Sequence, residues 1–178
     1  MKIYIITSNK GKIMAAKSVF DKYEIGFKNI DKDYPEIQAS TSLEIAKHTA
    51  VQAAQDFKKN VLREDHSLYL NALGVPGPYM NYFEKKVSID NLIKLTNTFK
   101  NNTGYFEVAT VLAMPKGKVY EFLFKVPFYI KSNIEVPDPR GGWNGAICLG
   151  IEKRAFEGRL LTTSLCKGVS SASRILVL

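Results

Sequence analysis

The residues best suited to chemistry sit together in Val61–Tyr79, VLREDHSLYLNALGVPGPY, where Glu64 and Asp65 form a pair of adjacent carboxylates. The run Val61-Leu62-Arg63 leads into them as a short strand. The acids are therefore expected at its carboxyl end, where open α/β sheets place their sites. His66 and Ser67 read as loop, and Leu68-Tyr69-Leu70 as a second apolar patch. Gly74, Pro76, Gly77 and Pro78 read as a rigid closing turn.

A second candidate lies near the amino end. Lys2–Ile6 has the β-branched content of a strand, Thr7-Ser8-Asn9-Lys10-Gly11-Lys12 is a polar turn, and Ile13, Ala16, Phe20 and Tyr23 recur at helical spacing. A strand–turn–helix of this kind aims backbone N–H groups and the helix dipole into the turn, which stabilises an anion there; Lys12 adds a full positive charge. Neither GxxxxGK[ST] nor GxGxxG is present. Capping of the helix by Ser8 or Asn9 accounts for the same residues. The third candidate is Glu44. Thr41-Ser42-Leu43-Glu44 has capping-box spacing and opens a helix with Leu43, Ala46, Ala50, Ala53 or Ala54, and Phe57 on one face. Glu44 reads either as the box residue reaching back to the cap or as a magnesium ligand facing Asp65.

The elements that must position these groups follow from pattern. Glu24–Ile30 is a short strand and Asp31–Ser40 a loop. Ser88 caps a helix bearing Ile89, Leu92, Ile93 and Leu95, and Asn101–Gly104 is a turn. Tyr105–Ala113 and Val119–Ile130 form a hairpin around Pro115-Lys116-Gly117. A Pro- and Gly-rich loop, 133–145, precedes a short strand at Ala146–Leu149, and a helix is expected from Ser170 through Ala172, Ile175 and Leu176. Early alternation of strand and helix with a hairpin-rich second half predicts an α/β protein with a mixed sheet, a single domain over 1–178 with no linker.

Composition bounds the function. At 178 residues, 46% hydrophobic and 24% charged, the chain supports one ordinary globular core. No apolar run approaches the roughly 20 residues of a membrane span. MKIYIITSNK does not read as a secretory signal, so Cys148 and Cys166, outside any CxxC, are expected as reduced thiols in a cytoplasmic setting. The net charge of +8 is spread as single lysines and pairs such as Lys58-Lys59 and Lys85-Lys86. With no arginine-rich arm, zinc-finger spacing or RNA-type aromatic motif, a basic RNA-associated protein is the weakest reading.

Three segments together, TSNKGK at 7–12, Glu44 at its helix start, and EDHSLYLNALGVPGPY, resemble the inosine/xanthosine triphosphate pyrophosphatase family. The counterparts there read TGNxxK, an acidic helix start, and (E/D)D(S/T)xL…ALGGxPGxY; PRGGWN at Pro139–Asn144 is similar to a later PRG…GWD. The resemblance covers most of the chain. It implies a long twisted mixed β-sheet with flanking helices, two lobes around a central nucleotide cleft, and a homodimer. It also implies Mg2+-dependent hydrolysis of nucleoside triphosphates to monophosphate and pyrophosphate. On matching positions it assigns Thr7, Ser8, Asn9 and Lys12 to the phosphates, Glu44 to magnesium, and Asp65 to the attacking water as general base or metal partner. Asn144 falls at the substrate's base end; Trp143 reads either as a ring stacking on the base or as an aromatic filling the lobe junction, and Lys167 either as a base or phosphate contact or as a solvated lysine.

The departures are specific. Ala15 stands where the family has a helix glutamate, and Thr49 where it has a lysine, with Lys47 and His48 nearby. Phe-Gly-Trp-Asp becomes Gly141-Gly142-Trp143-Asn144, and the family's EKN…SHR tail is represented by Cys166-Lys167-Gly168 and Ser171-Ala172-Ser173. The phosphate end is partly kept and the base-reading end rebuilt, which predicts altered base recognition. The alternative is a catalytically impaired nucleotide-binding protein of the same fold.

Overall fold

The β-branched run Ile3–Ile6 is β1, followed by α1 (Lys10–Lys22) and β2 (Phe27–Ile30). The rest of the order is α2 (Ser42–Phe57), β3 (Val61–Leu70), β4 (Pro76–Gly77), α3 (Met80–Lys86), α4 (Ile89–Thr98), β5 (Thr103–Ala113), β6 (Val119–Ile130) and β7 (Ile147–Leu149). This computed structural model describes residues 2–149, apart from 33, 36, 135–137 and 139–141. The expectations for 139–141, Cys166, Lys167 and the closing helix lie outside those residues. One sheet runs in the order β2-β1-β3-β5-β6-β7, with β4 on β3. Its β1–β2 and β1–β3 pairings are parallel, β3–β4 and β6–β7 antiparallel. This is the mixed α/β sheet with flanking helices that the element pattern predicts.

The described residues fall into two compact units. The first is built on Met1–Ser67 and Glu107–Lys125. Its core is an alanine face. Ala46, Ala50, Ala53 and Ala54 of α2 pack on Ile6, Val61, Ala109, Val111 and Ala113. Methyl-sized side chains at i, i+4, i+7 and i+8 let the helix lie close to the sheet, and the burial is complete at all four. The helix starts where the capping box places it, with Thr41 Oγ1 accepting from the Glu44 N–H at 3.2 Å.

The second unit is built on Leu68–Phe106 and on the described residues of Val126–Ser170. Tyr69 stacks on Tyr105 and Phe106 packs against Phe128, each with ring centroids 5.0 Å apart. Gly104 leaves no room for a side chain: a Cβ there would run into the Phe128 ring and the Tyr69 carbonyl oxygen. Ser88 caps α4 as expected, and Leu92 and Ile93 bury its apolar face.

Two local expectations are corrected. β3 does not stop at the acids; it continues through His66 and Ser67 to Leu70, because Leu68 and Tyr69 pair with Gly77 and Pro76 of β4. Met80–Lys86, unassigned by pattern, is helical, and β5 begins at Thr103, inside the expected turn.

Candidate functional site

The parallel pairing of β1 with β3 is recorded at Tyr4–Val61 and Ile5–Leu62. Arg63 then donates from Nη1 to the Ile6 carbonyl at 3.2 Å, just before Glu64 and Asp65. The acids thus sit where the parallel neighbour ends, although their own strand continues. This is the strand-end placement of open α/β sheets, produced by the ending of β1 rather than of β3.

The turn after β1 folds onto itself first. Thr7, 8% exposed, accepts from the Asn9 N–H through Oγ1 at 3.1 Å. Asn9 Oδ1 accepts from the N–H groups of Gly11 at 2.9 Å and Lys12 at 3.2 Å. Asn9, not Ser8, is therefore the cap of α1, and it occupies two of the donors expected to face an anion. Ser8 is exposed.

Lys12, one turn into α1, is directed inward. Its Nζ donates to the Glu64 carbonyl at 3.1 Å and lies 3.6 Å from Glu64 Oε1. Burial pushes its pKa below the usual lysine range, while the Glu64 and Asp65 carboxylates act in the opposite direction. The charge of Asp65 is thus within electrostatic reach of Lys12. His66 Nε2 sits 2.6 Å from Glu64 Oε1 without hydrogen-bond alignment, and both side chains are 6% exposed. Burial lowers the His66 pKa, the neighbouring Glu64 opposing the shift. The sequence offered Glu64 only as the neighbour of Asp65, with no role of its own, and read His66 as loop. Their signal was the i, i+2 spacing, which places both on one face of a strand once β3 is known to be unbroken.

The same alternation puts Asp65 on the face of Val61, which packs in the α2 core. α2 carries Glu44 in its first turn, exposed, with Oε2 accepting from the Ser40 N–H at 3.2 Å. That helix start is tied to the sheet by Ser42 Oγ and Glu107 Oε1, 3.4 Å apart, and β5 is the neighbour of β3. Glu44 and Asp65 supply hard oxygen donors, and no group of three His, Cys, Asp or Glu side chains suited to a metal occurs among the described residues. Mg2+ takes one or two carboxylates from a protein and completes its shell with water and phosphate oxygens, so each of these two acids is a donor of the type it uses.

The remaining candidates are placed differently. Thr49 is fully buried with its hydroxyl unpaired. Lys47 lies 2.8 Å from Glu121, both side chains exposed; His48 is exposed. Trp143, in the second unit, is 2% exposed and donates from Nε1 to the Val87 carbonyl, while its backbone N–H donates to Glu84 Oε1, both at 2.8 Å. Its ring packs inside that unit rather than offering a face to a base. Asn144 lies in the same turn, half-buried. Lys167 lies outside the described residues.

The Ham1 family pattern matches residues 3–133. A dITP/XTP pyrophosphatase from Methanopyrus kandleri is 32% identical over 123 residues, which is 68% of this chain and 65% of that protein's length. One from Thermococcus kodakarensis is 31% identical over 79% of this chain and 73% of its own. Inosine triphosphate pyrophosphatase 2 of Trypanosoma cruzi is 30% identical over 80% and 71%. Among solved structures, a HAM1 protein from Coxiella burnetii shares the fold at TM-score 0.68 and 18% identity, covering 82% of this chain and 80% of its own. The Staphylococcus aureus Ham1 protein does so at 0.63 and 23%, covering 83% and 81%.

Proposed function

The chain belongs to the Ham1 family, and from that premise we propose that it hydrolyses nucleoside triphosphates of non-standard purines to the monophosphate and pyrophosphate. The reading includes Mg2+ dependence, altered base recognition, a homodimeric state and a cytoplasmic setting. Among the described residues no helix is long and apolar enough to cross a membrane. The observation that carries the reading is the meeting of Lys12 with Glu64, next to Asp65, which joins the turn and the acidic segment in one place.

Asp65 takes a proton from the attacking water and orients it toward the α-phosphorus. As the new P–O bond forms, the bond to the α–β bridging oxygen breaks and pyrophosphate leaves. General-base help of this kind contributes about 10²–10⁴-fold. When held by Glu44 and Asp65 with the substrate's phosphates, Mg2+ supplies neutralisation of charge on the phosphate chain. Lys12 adds a cation at the same end. Thr7, Ser8 and Asn9 present the turn, with phosphate oxygens taking over the Gly11 and Lys12 N–H groups from Asn9 Oδ1. Asn144 and Lys167 are carried as base-end contacts; Trp143 supports the turn of Asn144 from within its unit.

The second reading, a nucleotide-binding protein without turnover, is favoured by one observation. Ala15 is 4% and Thr49 0% exposed, so both positions where the family carries a charge are closed by packing. A panel of inosine, xanthosine, deoxyinosine, adenosine and guanosine triphosphates separates the two. Pyrophosphate release that requires Mg2+ and is lost on Asp65→Asn supports hydrolysis, and the ranking of the bases reads out the altered recognition. Nucleotide binding with no release from any triphosphate establishes the binder.

A further inference from the structure

The proposed chemistry uses little of the net charge of +8. Lysines that are scattered in the sequence meet in the first unit, at the end of the sheet away from Lys12 and Glu64. Lys2 precedes β1, and Lys58 and Lys59 stand between α2 and β3. Those two strand starts are joined where the Tyr4 N–H donates to the Asn60 carbonyl at 2.8 Å. Lys22 ends α1, and the chain returns beside β1 where the Ile3 N–H donates to the Gly26 carbonyl at 3.2 Å. Lys116 and Lys118 lie in the turn between β5 and β6, closed by the Met114 N–H on the Lys118 carbonyl at 2.8 Å. Tyr4, Phe57, Val61, Ala113 and Val119 belong to one packed cluster, so the turn, the strand starts and the end of α2 share this end of the sheet.

All six lysines are exposed. Acids of the same segments are taken up by their own neighbours: Asp21 lies 2.6 Å from Lys17, and Asp56 accepts from the Tyr34 hydroxyl at 2.9 Å. Glu24, exposed, offsets one charge. Three of the lysines stand over tyrosine rings. Lys22 lies 5.6 Å from the Tyr23 centroid, Lys59 5.7 Å from that of Tyr4, and Lys118 4.8 Å from that of Tyr120. Tyr23 is 63% exposed.

We propose that this face binds single-stranded nucleic acid, its lysines on successive phosphates and its tyrosine rings against unpaired bases. Positive charge interleaved with aromatic faces holds single strands with little regard to sequence. Neighbouring strands of a sheet lie about 4.8 Å apart, so the steps from β1 through β3 and β5 to β6 span roughly 14 Å. At about 3.4 Å per phosphate along one strand, about four phosphates fall within that length. A duplex supplies the phosphates but hides its bases from the rings, which selects the single strand. Lys2 and Thr7 flank β1 at opposite ends, so this face and the proposed chemistry are separate, and the inference does not rest on that reading.

Fluorescence anisotropy of the full chain with a labelled oligouridylate tests it, with circular dichroism confirming that each variant is folded. Binding is expected to weaken with salt, log K falling against log[salt] with a slope of about −3 for some four contacts to a single strand. Lys58→Glu/Lys59→Glu and Lys116→Glu/Lys118→Glu are each expected to weaken binding about tenfold or more and to flatten the slope by about 1 or more. Lys85→Glu/Lys86→Glu makes the same change of charge at two exposed lysines of the second unit, and is expected to leave affinity within about twofold. Tyr23→Ala is expected to weaken binding about fivefold or more with the slope unchanged, because a ring stacks on a base and not on a phosphate. No binding of the oligouridylate, equal losses from all three lysine pairs, or an affinity indifferent to Tyr23→Ala overturns the proposal. A duplex of the same length bound as tightly, or release of the probe to phosphatidylserine vesicles of equal charge, does so too. Pyrophosphate release, measured on the same samples, reports on the chemistry separately.

Discussion

Lys12 places its Nζ 3.1 Å from the carbonyl oxygen of Glu64 and 3.6 Å from its Oε1, across 52 positions of sequence. One short distance thus fixes the turn after β1 against the middle of β3. It also explains how a carboxylate 7% exposed is tolerated in the core.

Removing one member of this pair leaves the other buried without its counter-charge. Lys12→Met is expected to lower the stability of the first unit by about 3–5 kcal/mol in urea unfolding. Adding Glu64→Gln is expected to recover most of that loss, since the stranded charge is then gone. Equal, additive losses from the two substitutions would show that the pair is not coupled.

His66 gives the fold a dependence on pH. Burial lowers its pKa from 6.5, so the unfolded chain binds the proton more readily than the folded one. The stabilisation from neutral His66 is complete above pH 6.5 and is lost as pH falls from there through the lowered folded value. Denaturation midpoints recorded across that window are expected to decline for the wild type and to flatten for His66→Gln. A wild-type profile with no such decline contradicts a buried neutral imidazole.

Cap and metal roles at the start of α2 are separable. Thr41→Ala removes the acceptor of the Glu44 N–H and is expected to cost about 1 kcal/mol of stability with little change in Mg2+ affinity. Glu44→Gln keeps a carbonyl oxygen for the Ser40 N–H but lowers the charge offered to the cation. Its stability is expected to stay near wild type while Mg2+ binding, read by calorimetry in the presence of nucleotide, weakens.

Thr49 carries a hydroxyl that is buried and unpaired. Thr49→Val replaces it with a methyl of similar size and is expected to be neutral, or stabilising by up to about 1 kcal/mol. A clear loss of thermal stability would mean that the hydroxyl is satisfied in solution.

Where local chemistry decides, the sequence was readable. The alanine face and capping box of α2, the Ser88 cap and the long strands ending at Ala113 and Ile130 are each written within about a dozen neighbouring residues. What failed to show was set by distant partners. Arg63-Glu64-Asp65-His66-Ser67 has no apolar alternation, so its strand state comes from neighbouring strands rather than from its own composition. α3 is seven residues long, has no side-chain cap and buries no residue, so no periodicity announces it. Glu64 looked like the lesser of two acids because its partner Lys12 lies in another element. Trp143 was a plausible stacking residue by type, but the Val87 carbonyl that claims its indole is 56 positions away.

The central claim is that water, activated at Asp65, attacks the α-phosphorus beside Lys12. Hydrolysis of inosine triphosphate in ¹⁸O-labelled water, with products read by mass spectrometry, tests it most directly. The label is expected in the nucleoside monophosphate and not in pyrophosphate, with Asp65→Asn lowering the rate about 10²-fold or more. Label in the released phosphate product, or a rate unchanged by Asp65→Asn, would contradict the account.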